Sequence, residues 1–240
     1  RPRAASRGLS VAARLPAATG AEGAMAGGAG QGGLAGAYAL DGQDACLRLY
    51  ADWAQSYDAG FAAAMEYRLP AHVAAAFLAA GPPAGPVLDV GAGTGLCAAA
   101  LRAQGFAGPI DGVDLSQEML DVAAAKGVYR TLHRADVTRP LNLPEGYAGV
   151  VSAGTFTSGH VGPEALDPIL DCTRPGACLV LSVNLRVWEG GGFADALAAR
   201  ADRIEAPQMI DVAIYGPAAA QADPAHAADR ARILILRRRG

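Results

Sequence analysis

The sequence has few aromatic residues, no excess of positive charge, few cysteines and no long apolar run. Aromatic residues make up 6% of the chain, so the core must come mainly from Val, Leu, Ile and Ala. The net charge of −3 excludes the basic excess that is typical of nucleic-acid binders. No run reaches about 18 apolar residues, which argues against a membrane-spanning helix. The four cysteines form no CxxC pair and no zinc-ligand spacing, so we expect buried thiols in a reducing compartment.

The rest of the composition describes a globular chain. Its 240 residues are a reasonable length for one domain with an extension. Hydrophobic residues make up 52%, which is enough for a sizeable core and excludes a wholly disordered chain. We therefore expect a globular protein without a metal site, and the class that its composition favours is an enzyme.

The first 40 residues differ from the rest and are predicted to form a disordered extension, with a single domain over residues 41–240. Residues 1–36 contain four arginines and one acid, Glu22, together with a run of Gly and Ala. Such a segment cannot bury enough apolar surface to offset the entropy that ordering costs. An Arg-rich, acid-poor beginning is also typical of organellar transit peptides, and Met25 is an alternative start.

From residue 45 onward, helical and strand-like patterns alternate along the chain. Repeated strand–helix units indicate parallel strands, because a right-handed crossover needs an intervening helix. The last two strands have no convincing helix between them, which predicts a reversal. We expect a Rossmann-like, doubly wound α/β fold with a mostly parallel seven-stranded sheet, one antiparallel edge strand and helices on both faces. The predicted strands are Pro86–Val90, Pro109–Asp114, Tyr129–Ala135, Tyr147–Ala153, Cys178–Val183, Met209–Tyr215 and Arg232–Leu236. The predicted helices are Ala45–Tyr57, Leu69–Ala80, Leu96–Gln104, Gln117–Lys126 (with Ser116 as N-cap), Pro163–Cys172 and Gly192–Glu205.

A glycine-rich turn follows the first predicted strand, in segment 89–95 (DVGAGTG). Gly91, Gly93 and Gly95 let the backbone turn sharply and leave no Cβ between it and a ligand. The next helix begins near Gly95 and directs its free N–H groups toward the same space. In an open α/β sheet, ligands bind there, beyond the carboxyl ends of the strands.

Acidic residues accompany the first three strands. Asp114 ends the second strand and can accept hydrogen bonds from vicinal ribose hydroxyls, with helix capping as the alternative. Asp136 follows the third strand and can accept from an adenine amino group while Val137 packs on the ring, although Thr138 could compete for that role. Asp89 stands two residues before the glycines, and its negative charge favours a ligand that presents an amine.

The glycine spacing argues against a nicotinamide dinucleotide. Sites of that type carry GxGxxG, and the sixth position of this register is Leu96. A pyrophosphate would also be repelled by the carboxylate of Asp89. The pattern instead favours S-adenosylmethionine, which carries an amine at its methionine end.

These motifs together resemble those of class I S-adenosylmethionine-dependent methyltransferases, over about residues 49–205. The resemblance lies in segments 87–96 (VLDVGAGTGL), 112–120 (GVDLSQEML), 135–137 (ADV), 147–154 (YAGVVSAG) and 174–180 (RPGACLV). The Williams–Beuren-region methyltransferase-like group is the most similar, on segments 50–58 (YADWAQSYD), 126–129 (KGVY) and 154–161 (GTFTSGHV). No Asn/Asp-Pro-Pro-Tyr motif follows the fourth strand, which argues against enzymes that methylate amino groups of DNA or of glutamine.

The resemblance implies a role for each residue of the cofactor site. Gly91 and Gly93 line the methionine end, Asp89 holds the amine indirectly, and Asp114 takes the ribose hydroxyls. Met119 flanks the adenine unless it is a core residue, and Tyr57 closes over the cofactor unless it only packs between helices. The full predicted set is Tyr57, Asp89, Gly91, Ala92, Gly93, Thr94, Gly95, Asp114, Leu115, Met119, Asp136, Val137 and Ser152.

Methyl transfer from a sulfonium is an in-line displacement in which positioning supplies much of the rate. His160 follows the fourth strand and is the candidate general base, with a structural role in its Gly-rich loop as the alternative. Asn184 and Arg186 after the fifth strand are candidate substrate contacts or a solvated rim. Arg237, Arg238 and Arg239 are predicted to be solvated and not a nucleic-acid patch.

The sequence thus predicts an S-adenosylmethionine-dependent methyltransferase that acts on a small molecule, without nucleic acid or membrane as partner. It is expected in the cytoplasm, as a monomer or homodimer. A nicotinamide oxidoreductase and a non-catalytic cofactor-binding partner or regulatory protein are the competing interpretations. The identity of the acceptor is not encoded in any motif.

Overall fold

A computed structural model of the protein describes residues 53–144, 146–157 and 160–240. The predicted disordered extension, the domain start at residue 41 and most of the predicted helix Ala45–Tyr57 lie outside these residues. None of the helices in the described residues is long and apolar enough to cross a membrane.

The described residues form one sheet surrounded by helices. The strands are β1 (Val87–Val90), β2 (Ile110–Asp114), β3 (Thr131–Arg134), β4 (Tyr147–Phe156), β5 (Thr173–Asn184), β6 (Gln208–Ala213) and β7 (Arg230–Arg237). The helices are α1 (Leu69–Ala79), α2 (Leu96–Ala103), α3 (Gln117–Ala125), α4 (Leu166–Asp171), α5 (Leu185–Gly190), α6 (Phe193–Ala198) and α7 (Ala219–Ala222). A π-helical segment, Tyr57–Ala62, precedes α1, and a 3₁₀ turn, Pro163–Ala165, leads into α4.

The sheet order is β3-β2-β1-β4-β5-β7-β6, and strands β1 to β5 pair in parallel. Strand order reverses between β1 and β4, which places the topological switch point at the glycine-rich turn. The predicted reversal near the C-terminus is present: β7 pairs antiparallel with both β5 and β6. The last strand therefore enters between β5 and β6, and β6 forms the edge with an antiparallel neighbour. The doubly wound α/β prediction is confirmed.

Apolar residues fill the space on both faces of the sheet. On one face, Phe77 of α1 and Leu101 of α2 pack with Ile110 and Val151, and all four are buried. A Cβ at Gly149 of β4 would lie 2.5 Å from the Phe77 ring, so glycine at this position makes room for the phenyl group. On the other face, α4 and α6 cover the strands. The described cysteines, Cys97, Cys172 and Cys178, are buried thiols, as predicted.

Two predicted elements differ most in length from those in the structure. Strand β5 begins five residues earlier, at Thr173, which pairs with Tyr147 of β4, and it ends at Asn184, which pairs with Ala231 of β7. The predicted helix Gly192–Glu205 is reduced to α6, which ends at Ala198. Arg200 explains this end, since its side chain donates to the carbonyl of Ala196 and pairs with Asp167 at 2.5 Å. Arg200 thus satisfies a terminal carbonyl of the helix.

Candidate active site

A pocket that is partly open to solvent, here called the loop cavity, lies beyond the carboxyl ends of β1 to β4. It takes its name from the glycine-rich turn that forms one of its walls. Its position agrees with the ligand site expected for an open parallel sheet. Its walls include eleven of the predicted site residues: Tyr57, Gly91, Ala92, Gly93, Thr94, Asp114, Leu115, Met119, Asp136, Val137 and His160. Asp89, Gly95 and Ser152 are not on its walls.

The glycines of the turn serve different purposes. All three adopt positive φ, at 66° for Gly91, 53° for Gly93 and 89° for Gly95. A Cβ at Gly91 would lie 2.0 Å from Oγ1 of Thr155, so packing requires glycine there. A Cβ at Gly93 would meet no atom within 4 Å, which means that this part of the turn faces open space. Gly95 lies outside the cavity wall and precedes α2 in a left-handed conformation.

Asp114 connects the turn to β2. Its Oδ2 accepts a hydrogen bond from the amide of Gly93 at 2.8 Å, and its Oδ1 accepts from the amide of Ser116 at 2.9 Å. The side-chain cap of α3 is Ser116, whose Oγ accepts from the amide of Met119, as predicted. Burial raises the pKa of Asp114 above its usual value, while the backbone hydrogen bonds oppose this rise. Each carboxylate oxygen retains a second lone pair for a ligand hydroxyl.

Asp136 and Val137 lie on the same wall, after β3. Oδ1 of Asp136 accepts hydrogen bonds from the amide of Thr138 at 2.9 Å and from its hydroxyl at 2.7 Å. Thr138 is not on the cavity wall, so it orients Asp136 and does not replace it. Arg139 pairs with the other carboxylate oxygen at 3.3 Å from a largely exposed position.

The structure corrects the predicted role of charge at Asp89. Its side chain is fully buried in β1, where Oδ2 accepts a hydrogen bond from the hydroxyl of Tyr129 at 2.7 Å. Burial raises the pKa of Asp89 to about 7, although Tyr129 and the amide of Ala98 oppose the shift. The same contact and burial raise the pKa of Tyr129. Asp89 therefore supports the glycine-rich turn from the core side and not from the wall of the loop cavity.

Two other carboxylates place negative charge on the wall of the loop cavity. Of the described residues on the wall of the loop cavity, two are carboxylates, Asp114 and Asp136, and none is Lys or Arg. Such a wall favours a ligand with net positive charge and disfavours a pyrophosphate. The residues present thus fit S-adenosylmethionine, which carries both a sulfonium and an amine.

Ser152 also lies behind the turn and does not contact the cavity. Its hydroxyl donates to the carbonyl of Val90 at 2.8 Å, and the hydroxyl of Thr155 donates to the same carbonyl at 2.9 Å. Ser152 is fully buried, which explains why the predicted ligand contact is absent. The pair fixes the last carbonyl of β1, from which the glycine turn starts.

The π-helical segment reaches the loop cavity from the N-terminal side. Tyr57 lines the cavity, and the adjacent Asp58 accepts a hydrogen bond at 2.6 Å from the hydroxyl of Thr94. Lys126, at the end of α3, pairs with Asp58 at 2.6 Å and donates to the carbonyl of Thr94. These three residues, here called the Asp58 bridge, join the segment to the glycine turn.

A second, smaller pocket, partly open to solvent, adjoins the first and is here called the aromatic cavity. The two cavities share four wall residues, Tyr57, Tyr67, Gly154 and His160. His160 thus lies where the two cavities meet. The predicted contact Asn184 lines the aromatic cavity, whereas Arg186 is not on its wall and pairs with Asp229 at 2.7 Å.

Sequence reasoning missed several residues of the site. Asp58 and Lys126 occur in segments that carry the family resemblance, so the sequence could have indicated that they belong to the site. Tyr129 belongs to one of the same segments, and its bond to Asp89 joins two motifs. Tyr67 has no sequence signal, because its position follows from an unusual backbone conformation at the preceding residue.

Comparisons with known proteins agree with this geometry. The sequence model of a methyltransferase domain family matches residues 61–226. Methyltransferase-like protein 27 of Homo sapiens is 36% identical over 178 residues, which cover 71% of this chain and 70% of that protein.

Two solved structures are similar in fold. A methyltransferase in complex with the Haloferax volcanii Trm112 methyltransferase activator has a TM-score of 0.58 at 19% identity, over 80% of this chain and 98% of that chain. Haemonchus contortus phosphoethanolamine N-methyltransferase 2, in complex with phosphomonomethylethanolamine and S-adenosylhomocysteine, has a TM-score of 0.52 at 14% identity, over 69% of this chain and 52% of that chain. These two show the fold, and the family model and the human relative show the family. The chain belongs to the S-adenosylmethionine-dependent methyltransferases.

Proposed function

We propose that the loop cavity holds S-adenosylmethionine and that the enzyme transfers its methyl group to a small-molecule acceptor in the adjoining aromatic cavity. The observation that carries this proposal is the wall of the loop cavity, where an open glycine turn faces two carboxylates and no described Lys or Arg. Asp114 would hold the ribose hydroxyls, Asp136 and Val137 the adenine, and the turn at Gly93 the methionine end.

When bound, S-adenosylmethionine supplies a methyl group that its sulfonium sulfur has already activated. Transfer of that methyl group to the acceptor would leave the carbon–sulfur electron pair on sulfur, with S-adenosylhomocysteine as the product. An acceptor that carries a proton must release it. His160 is the residue that we assign to take it, because it lies on the boundary between the two cavities.

The protein side of the reaction is positioning. Asp114 holds the amide of Gly93, and the Asp58 bridge ties the π-helical segment to Thr94, so both walls of the loop cavity are fixed by hydrogen bonds. A pre-arranged site of this kind lowers the entropic part of the barrier. We also propose that the enzyme acts in the cytoplasm, which the buried thiols of the described chain support, and that it is a monomer or homodimer.

Calorimetric titration tests the proposal. We expect S-adenosylmethionine and S-adenosylhomocysteine to bind and NAD to show no binding, and a ligand at 100 times its Kd should add about 2.7 kcal/mol of stability. Gly93→Ala should weaken S-adenosylmethionine about tenfold or more, because the new Cβ occupies ligand space. Gly176→Ala is the matched control, since Gly176 also has positive φ and an open Cβ direction but lies in the first half of β5, outside the walls of both cavities. Binding of NAD alone, or equal affinity in both variants, would refute the assignment of the turn.

A further inference from the structure

Aromatic residues are few in this chain, and many of them lie on the wall of the aromatic cavity. The sequence contains 2 Trp, 7 Tyr and 5 Phe, and six of these fourteen rings lie on the wall of one cavity. They are Trp53, Tyr57, Phe61, Tyr67, Phe156 and Tyr215. Elsewhere the buried core is mainly aliphatic, with the rings of Phe77, Tyr147 and Phe193 distributed within it.

Phe61 is the centre of the cluster. Its ring stacks on Trp53 with centroids 5.7 Å apart and lies 5.2 Å from the ring of Tyr57. Tyr67 and Tyr215 contact it from the other side, with centroids at 6.3 and 6.2 Å. These separations fall in the range of favourable ring–ring contacts. The rings come from the π-helical segment, from the link to α1 and from the end of β6, so the wall is assembled from distant parts of the chain.

The backbone is strained to bring one of these rings to the boundary between the cavities. Glu66 has a φ of 46°, the one positive value found for a non-glycine residue in the described part of the chain. Tyr67 follows directly, and a Cβ at Gly154 would lie 2.4 Å from its hydroxyl oxygen. Strain of this kind persists where the surrounding structure requires it, commonly at functional sites. Glycine at position 154 and the strain at Glu66 both allow Tyr67 to face the shared wall.

The wall of the aromatic cavity carries no fixed charge. None of the described residues on it is Asp, Glu, Lys or Arg, and its polar members are hydroxyls, the amide of Asn184 and the imidazole of His160. The charged residues that adjoin wall residues Tyr57 and Tyr67 in sequence are paired: Asp58 with Lys126, and Glu66 with Arg68. A charged acceptor would lose its hydration here without gaining a counter-ion, and that loss is costly.

We propose that the aromatic cavity is an acceptor subsite for an uncharged, planar aromatic molecule. This inference rests on the proposed methyltransferase function and adds the chemical class of the substrate. The rings of the wall stack against the acceptor ring, and Ser182 and Asn184 lie on the same wall as neutral hydrogen-bonding groups for a polar substituent. The nucleophilic atom of the acceptor then points to the boundary formed by Tyr67, Gly154 and His160.

The test uses three probes that share one ring system and differ in charge: indole, indole-acetate and tryptamine. Binding to the full-length protein is measured by calorimetry and by saturation-transfer NMR, with S-adenosylhomocysteine present. We expect indole to bind and the anionic and cationic probes to bind at least about fivefold more weakly, since the wall offers no counter-charge. No turnover is needed for this readout.

Two matched variants locate the probe. Phe61→Leu removes the central ring and should weaken indole about fivefold or more, while the affinity for S-adenosylhomocysteine stays within about twofold. Phe106→Leu is the control, because Phe106 is also half-buried and also makes an edge-on ring contact, with Phe77 at 6.0 Å, but it lies outside both cavities. It should leave both affinities unchanged.

The outcomes separate the two proposals. If S-adenosylhomocysteine does not bind the unmodified protein, the proposed function itself is wrong. If it binds while indole does not, or while tryptamine or indole-acetate binds more tightly than indole, the cofactor site stands and the neutral aromatic subsite is refuted. Equal weakening of indole by both variants would also refute it.

Discussion

At the scale of single residues, Asp89 and Asp114 of the neighbouring strands β1 and β2 have different roles at the glycine-rich turn. Asp114 stands on the cavity wall and accepts hydrogen bonds from two backbone amides, so its carboxylate shapes the ligand side of the turn. Asp89 is fully buried and bonded to Tyr129, so it supports the turn from the core side. The sequence identified both residues from their spacing to the glycines. It could not show which one faces the ligand, because burial depends on strands that pack from elsewhere in the chain.

Asp89 should make stability depend on pH between about 4 and 7. Its pKa is about 7 in the folded protein and 3.8 as the ordinary value, so the folded state holds the proton more tightly than the unfolded chain. The stabilising contribution of Asp89 to the free energy of unfolding is therefore fully present at low pH and is lost as the pH rises from about 4 to about 7. Above that range the free energy of unfolding no longer changes with pH through this group. Asp89→Asn keeps an acceptor for Tyr129 and removes the titration. Its free energy of unfolding relative to the unmodified protein should rise over this range by about 2–4 kcal/mol.

Urea unfolding at a series of pH values measures this difference. Asp121→Asn, on the exposed face of α3, is the control and should show a flat difference across the same range. A flat difference for Asp89→Asn as well would mean that Asp89 remains ionised in the folded protein.

At the scale of elements, local patterns predicted the sheet well and the N-terminal segment poorly. Strands β1 and β2 lie between Pro or Gly breaks, and the helix cap at Ser116 has a local sequence signal, so their positions were accessible. The early start of β5 at Thr173 comes with pairing to Tyr147 of β4, across a register shift that no local pattern reports. The π-helical segment and Tyr67 likewise owe their positions to distant contacts. For these reasons the loop cavity was predictable and the aromatic cavity was not.

The Asp58 bridge should control the order of the π-helical segment. Asp58→Asn removes the charge that pairs with Lys126, and Asn can still meet the hydroxyl of Thr94. Because the pair is partly exposed, we expect a small loss of global stability, below about 1 kcal/mol. The segment itself should open more often, since the contacts of Asp58 with Thr94 and Lys126 join it to the glycine turn and to the end of α3. Hydrogen–deuterium exchange of residues 57–62 should become several-fold faster.

A matched substitution on another helix makes this measurement specific. Asp195→Asn on the exposed surface of α6 should leave exchange in residues 57–62 unchanged. Equal exchange in the two variants would show that the aromatic cluster, and not the Asp58 bridge, holds the segment in place.

At the scale of the whole molecule, the C-terminal arginines correct the prediction of a solvated tail. Arg237 donates to the carbonyl of Gly81 at 3.1 Å, just after α1. Arg238 donates to the carbonyl of Leu170 in α4 at 2.9 Å, and Arg239 to that of Ile204 at 2.8 Å. Three successive side chains therefore satisfy carbonyls in separate parts of the fold. Charge and terminal position suggested solvent exposure, and only the tertiary arrangement reveals these acceptors.

Arg238 should contribute measurably to global stability for this reason. Its guanidinium donates to the carbonyl of Leu170 and lies 3.4 Å from the hydroxyl of Thr173, and its backbone pairs with Ala177. Hydrogen bonds from charged donors contribute about 1.5–3 kcal/mol, so Arg238→Ala should lower the free energy of unfolding by about 1–2 kcal/mol. Arg139→Ala is the control, because the Arg139 side chain is 81% exposed and its exposed pair contributes at most about 1 kcal/mol. Thermal and urea unfolding of both variants measure the contrast. If Arg238→Ala is no less stable than Arg139→Ala, the C-terminal arginines are surface groups and the last strand is held by its pairing with β5 and β6 alone.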